Sequence, residues 1–149
     1  MYSQVAIPDR AFSSQRRLQE LRLGGNKISE LTDRTLAGLT RLKSLDLKQN
    51  FIEALNNRVF KPLKKLQELN LEGNRISEIQ PRAFVGCTEL RILNLNNNML
   101  ASVPTKALTL LSHLIELRIA RNSLKVIMDN SFPPLPALAI LDLGGNTIE

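Results

Sequence analysis

The 149 residues predict an α/β solenoid: a curved stack of short parallel strands on the concave face, with an irregular or briefly helical convex side. Three observations predict it. Asparagine recurs at Asn26, Asn50, Asn74, Asn98, Asn122 and Asn146, every step 24 residues. Ahead of it stands an apolar frame, running from Leu18-x-x-Leu21-x-Leu23 through the units at Leu42, Leu66, Leu90 and Leu114 to Leu138-x-x-Leu141-x-Leu143. Two residues after it comes Ile28, Ile52, Ile76, Leu100, Leu124 or Ile148. A fixed period of this length marks a chain in which each unit buries its apolar face against the next.

Within a unit, the last Leu-x-Leu alternates inward and outward residues, as a short strand does. Successive strands pair side by side in a parallel sheet. Asparagine follows where the chain leaves the strand. Its amide can satisfy backbone groups stranded by the turn, and six in register form a ladder through the solenoid. Two further apolar columns follow. Ile7, Leu31, Leu55, Ile79, Val103 and Ile127 make one; Phe12, Leu36, Phe60, Phe84, Leu108 and Phe132 make a bulky spine beneath the convex wall. Pro81, Pro104, Pro133, Pro134 and Pro136 oppose long helices there, so short helical or 3₁₀ turns and extended pieces are expected. The whole chain, 1–149, reads as one repeat domain: a partial repeat over 1–17, then units starting at 18, 42, 66, 90, 114 and 138, the last incomplete.

Composition narrows the function. No apolar run is long enough to cross a membrane as a helix, and the first residues lack the basic and apolar segments of a secretory signal. The single cysteine, Cys87, shares its column with Leu39, Leu63, Leu111 and Leu135 and is expected in the core. One histidine, His113, stands at the turn into a strand as an exposed residue. With neither a second histidine nor a second cysteine, no zinc site or Cys/His nucleophile pair is expected, and no catalytic residue, metal or cofactor. Gly24-Gly25 and Gly144-Gly145 belong to strand-end turns, not phosphate loops. The charge of +6 invites a nucleic-acid reading, but no aromatics interleave with the basic residues and no nucleic-acid motif appears, so none is expected as a partner.

The unit L-x-x-L-x-L-x-x-N-x-[IL]-x-x-[ILV]-x-x-x-x-[FL]-x-x-L resembles the "typical" 24-residue class of leucine-rich repeats. That class is found in animal extracellular proteins such as Toll-like receptors, Slit proteins, chaoptin-like adhesion proteins and small leucine-rich proteoglycans. The run Ala83-Phe84-Val85-Gly86-Cys87-Thr88-Glu89-Leu90 is similar to runs common in those ectodomains. The resemblance implies an extracellular or cell-surface protein that recognises ligands, with adhesion or receptor signalling as its role. Three departures stand against it. Cysteine-rich caps are missing, there is no Asn-x-Ser/Thr sequon, and the chain begins and ends inside a repeat, as a fragment of a longer protein would. An intracellular leucine-rich repeat scaffold or regulatory subunit in the cytoplasm is the alternative, and the ectodomain of a receptor kinase a third reading.

The candidate site is the outward face of the strands. Its central row reads Arg22, Asp46, Asn70, Asn94, Arg118 and Asp142, and Ile92 and Ile140 break the otherwise polar row beside it. With the flanking Lys43, Arg91 and Arg121 the face carries six basic and six acidic residues, a mixture suited to a protein ligand over a polyanion. The isoleucines are candidate anchors for that partner. A second candidate is a basic rim at Arg16, Arg17, Arg41, Lys64 and Lys65, suited to a glycosaminoglycan such as heparan sulphate. Contact with a membrane is expected only through regions outside this chain.

Overall fold

The computed structural model describes residues 5–149; the first four residues of the partial repeat 1–17 lie outside the described residues. Six three-residue strands, Glu20–Arg22, Ser44–Asp46, Glu68–Asn70, Ile92–Asn94, Glu116–Arg118 and Ile140–Asp142, form one parallel sheet in chain order. Every pairing is in register, so Leu21, Leu45, Leu69, Leu93, Leu117 and Leu141 stand side by side across it. One strand per turn at a constant repeat length leaves no other register open, because a slip by one residue would turn every inward leucine outward.

Past the ladder asparagine the backbone pairs again where it can. Val5–Ala6 lies parallel to Ile28–Glu30, and Ala54–Leu55 to Glu78–Ile79. On the convex side the α component of the expected α/β solenoid shrinks to one helical turn, Thr105–Leu108. Isolated hydrogen-bonded turns, such as Leu39 N–H to Leu36 C=O at 3.3 Å, occupy the place of the expected 3₁₀ pieces. The short span between apolar columns leaves no room for a second turn of helix, and the one turn that forms starts directly after Pro104.

The core is a continuous file. Leu42, Leu45, Leu47, Leu66, Leu69, Leu71, Leu90, Leu93 and Leu95 are all buried, each burial stabilising by about 2 kcal/mol. Beneath the convex wall Leu36, Phe60, Phe84 and Leu108 are fully enclosed, and the Phe60 and Phe84 rings stack with centroids 6.0 Å apart and planes 8° off parallel. Cys87 sits in the leucine column, buried, its Sγ 3.7 Å from the Phe60 carbonyl oxygen. Desolvation pushes its thiol up to about 12. Towards both ends packing is one-sided: Phe12, Leu18, Leu21 and Leu23, and likewise Phe132, Leu138 and Leu143, are only partly buried against this cluster.

The asparagines tie one turn to the next. Asn74 donates from Nδ2 to the carbonyls of Leu71 in its own turn and Leu47 in the preceding one, both at 3.0 Å, while its Oδ1 accepts the Ile52 N–H at 3.1 Å. Asn50 does the same with Leu47, Leu23 and Ile28, and Asn98 with Leu95, Leu71 and Ile76. Asn122 reaches Leu95 and Leu100, and Asn146 reaches Ile119 and Leu124. Asn26 is exposed and, among the described residues, binds Leu23 and Gly24 of its own turn.

The residue before each of these asparagines is left-handed in all six units: Gly25, Gly73 and Gly145 at φ 73°, 72° and 69°, and Gln49, Asn97 and Arg121 at φ 54°, 54° and 52°. That conformation swings the chain off the strand and aims the asparagine inward, a demand that glycine meets without strain.

Two outcomes are expected. Asn74→Ala strands two carbonyls and an N–H in the interior and lowers unfolding free energy by about 3 kcal/mol, while Asn26→Ala changes it by less than about 1 kcal/mol; urea midpoints of the two variants check this. Cys87 stays protonated in the folded chain while the unfolded thiol ionises near its ordinary 9.0. Its contribution is therefore complete below pH 9 and lost as pH rises towards 12, at up to about 1.4 kcal/mol per pH unit. A thiol reagent at pH 8 labels Cys87 only as fast as the chain opens.

Candidate functional site

A strand three residues long shows two side chains outward and one inward. Leu45, Leu69, Leu93 and Leu117 point into the core. Glu20 with Arg22, Ser44 with Asp46, Glu68 with Asn70, Ile92 with Asn94, and Glu116 with Arg118 face the other way, and around them the sheet holds one open cavity of about 270 Å³. Six of the eight concave residues singled out from sequence meet there: Arg22, Asp46, Asn70, Ile92, Asn94 and Arg118. Ile140 and Asp142 stand on the last strand outside its lining.

The polar residues are largely engaged with one another. Asp46, Asn70, Asn94 and Asp142 each accept, through Oδ1, the N–H two residues on (Lys48, Glu72, Asn96 and Gly144), all at 3.0 Å. This closes the strand end, so half of each side chain's bonding is structural. In the two turns where arginine takes that place, it folds back on the glutamate two residues earlier. Arg22 meets Glu20 at 2.7 Å, and Arg118 bridges Glu116 in its own strand and Asp142 in the next, the latter at 3.5 Å. Lys48 lies 3.8 Å from Asp46. Glu72 gathers Asn94 and Asn97 at 3.3 Å and Arg121 at 3.9 Å, a cluster drawn from three turns.

One sequence expectation needs correction and another is narrowed. Of the twelve charged residues whose sum is neutral over the whole face, only six line the cavity; Lys43, Lys48, Glu72, Arg91, Arg121 and Asp142 do not. Its wall carries four carboxylates (Glu20, Asp46, Glu68, Glu116) against two guanidiniums (Arg22, Arg118), a net charge of −2. Ile92 is half-buried between its neighbouring strands and is not a freely exposed isoleucine. Ile140 is exposed, at 46%, as is Ile115 at 40%. Ile92 and Ile140 share one row and differ by place in the stack: Ile92 lies between Glu68 and Glu116 on either side, whereas Ile140, on the last strand, has only Glu116 beside it. Glu20, Glu68 and Glu116 belong to the cavity wall although only the central row and the isoleucines were singled out; their spacing of 48 residues, two turns each, carried the signal.

On the rim, Arg16 and Arg17 border a shallow depression with Gln15 and Leu18. Arg41 and Lys64 are exposed, and Lys65 lies 3.4 Å from Glu89 one turn on. His113 is exposed and donates from Nδ1 to the Thr88 carbonyl at 2.8 Å, which pins a turn. Among the described residues no group of three His, Cys, Asp or Glu side chains can hold a metal ion, and no helix is long and apolar enough to cross a membrane.

One parallel strand per turn, an inward asparagine ladder and an outward polar sheet define a repeat scaffold that presents a surface. The chain belongs to the leucine-rich repeat family: the model described as Leucine rich repeat matches residues 4–52, 40–100 and 88–148. It is similar to TLR13 in the crystal structure of the TLR13–ssRNA13 complex, with 32% identity and a TM-score of 0.88 over 93% of this chain and 20% of that one. It is also similar to Toll in the Toll–Spatzle complex, a hub of Drosophila development and innate immunity, with 27% identity and a TM-score of 0.88 over 95% of this chain and 19% of that one. The glycosylated form of that complex matches at 26% identity and a TM-score of 0.85, over 93% of this chain and 20% of that one. The chain thus spans about a fifth of the length of these solved structures' chains. No curated protein matches it. Because TLR13 is held in a complex with RNA, the expectation that nucleic acid is excluded has no support from these relatives.

The ion pairs around Arg118 are partly exposed, and such pairs stabilise weakly. Arg118→Ala should therefore shift unfolding free energy by less than about 1 kcal/mol in a urea titration, while removing a guanidinium that links two strands of the sheet.

Proposed function

We propose that the chain is a protein-recognition module of a cell-surface or secreted protein and holds a protein ligand on its concave sheet. The observation that carries this reading is the cavity spanning five strands, walled by fixed charges of both signs with an acidic excess. Toll, solved with Spatzle, is similar over nearly the whole chain and supports a protein ligand and an extracellular setting. The module does no chemistry. It works as a rigid rack on which many modest contacts add over a large area.

The ligand's chemistry follows from what the site leaves open. Arg22 and Arg118 are held by their own glutamates, whereas Glu68 has no ion-pair partner among the described residues. A lysine or arginine from the partner fits against Glu68. Ile92 offers an apolar floor beside them, and Ile115, Ala139 and Ile140 an apolar margin. The TLR13 complex makes single-stranded RNA the second ligand to consider, and the four carboxylates of the wall oppose a phosphate backbone there.

The test is binding to secreted proteins by the immobilised chain, with Glu68→Lys and Ile92→Glu as variants. The reading expects capture of a secreted or extracellular protein, with affinity falling tenfold or more, about 1.4 kcal/mol, in each variant while circular dichroism is unchanged. Equal affinity in folded variants would remove the concave face from the account. Tighter binding of single-stranded RNA, lost in neither variant, would replace the protein ligand altogether.

A further inference from the structure

Five cations occupy one position of successive turns on the convex side. Arg10, Arg34, Arg58, Arg82 and Lys106 each stand two residues ahead of the apolar spine, at Phe12, Leu36, Phe60, Phe84 and Leu108 respectively. All five are exposed. Neighbouring turns touch through their backbones at two of the column's four steps: Arg10 N–H donates to the Arg34 carbonyl at 3.0 Å, and Arg58 N–H to the Arg82 carbonyl at 2.9 Å. Contacts of that kind hold neighbouring chains about 5 Å apart. The preceding position runs Asp9, Asp33, Asn57, Pro81, Thr105: it keeps turn-forming residues but no constant charge.

Folding does not require cations there. None of the five heads forms an ion pair with a carboxylate among the described residues, and Asp9, next to Arg10, is taken by the Thr32 hydroxyl at 2.9 Å. Arg10 and Arg58 moreover sit at φ 60° and 65°, where a glycine would relieve the backbone. Like charges stacked in register repel, so the row is electrostatically unfavourable until an anion lies along it. The same turns carry Arg16, Arg17, Arg41, Lys64 and Lys65 six or seven residues on, of which Lys65 alone has an ion-pair partner among the described residues. The concave sheet, by contrast, holds the acidic cavity.

We propose that the Arg10–Arg34–Arg58–Arg82–Lys106 column is a track for a linear sulfated polysaccharide, laid along the solenoid axis across the convex turns. A polymer with closely spaced anions matches a row of cations repeating once per turn, and guanidinium forks suit tetrahedral oxyanions. Single-stranded nucleic acid fits less well, since it needs aromatic faces for its bases. Phe60 and Phe84 are buried beneath the column, and Phe51 lies under Arg75. A bilayer would need large apolar residues beside the charges; of those flanking the column, Val59, Ala83 and Ala107 are buried, and the exposed Ala11 and Pro81 are small.

The experiment is titration of the chain with a heparin dodecasaccharide by calorimetry at several salt concentrations. Engagement of all five cations lowers affinity by roughly 10²- to 10³-fold between about 50 and 200 mM salt. The triple variant Arg34→Ser, Arg58→Asn, Arg82→Ser should weaken binding at least about tenfold and reduce the salt slope by about three, while the matching lysine triple keeps it. In the unaltered chain, bound oligosaccharide should protect Arg34, Arg58 and Arg82 from phenylglyoxal but leave Arg22 and Arg118 reactive. The idea fails if protection falls on the rim arginines alone, if the serine/asparagine triple binds normally, or if single-stranded RNA of equal charge or anionic vesicles bind more tightly at equal salt.

Discussion

Everything in this fold rests on one side-chain amide that belongs to two turns at once. Asn74 occupies the interior only because its Nδ2 and Oδ1 find Leu71, Leu47 and Ile52. Without it those backbone groups, withdrawn from water by the leucine file, would have no partner. The amide sets the distance between turns, and the distance sets the register of the strands. Register in turn decides that Leu45, Leu69 and Leu93 point one way and Asp46, Asn70 and Asn94 the other. The hydrophobic file supplies most of the stabilisation but little of the geometry, since leucines slide and amides do not.

That division frees the surfaces. Apolar columns and the ladder hold the turns, so the outward rows of the sheet and of the convex side carry charge patterns independently. Here the two sides differ in sign: the cavity wall is net acidic, and the convex column is wholly basic. A ligand on one face need not compete with one on the other. Because many fixed contacts are spread over several turns, the scaffold discriminates by pattern and not by any single residue.

Much of this is legible from residues alone, for a reason that also marks its limit. Inward positions repeat because they must all meet the same neighbour one turn away; hence the ladder, the Phe60–Phe84 spine and the core place of Cys87 can be read from the period. Outward positions obey no such rule. Whether Ile92 lies open or half-sheltered depends on its place in the stack and on the length of Glu68 and Glu116 beside it. That Asp46 and Asn70 spend an oxygen on closing their own strand depends on the backbone just past it. The same holds for the cavity's acidic balance, which is fixed by which of the flanking cations reach inward, and Lys43, Arg91 and Arg121 do not line it.

The ladder has a direction. Asn50 completes the turn that holds Leu23 and Ile28, Asn74 the one that holds Leu47 and Ile52, and so on along the chain. No turn is hydrogen-bonded in full until its successor is in place. On a ribosome, each nascent coil therefore waits for the following two dozen residues to emerge before its backbone is sealed. A pull from the C-terminal end, in the same way, unlocks the coils singly and in reverse order of synthesis.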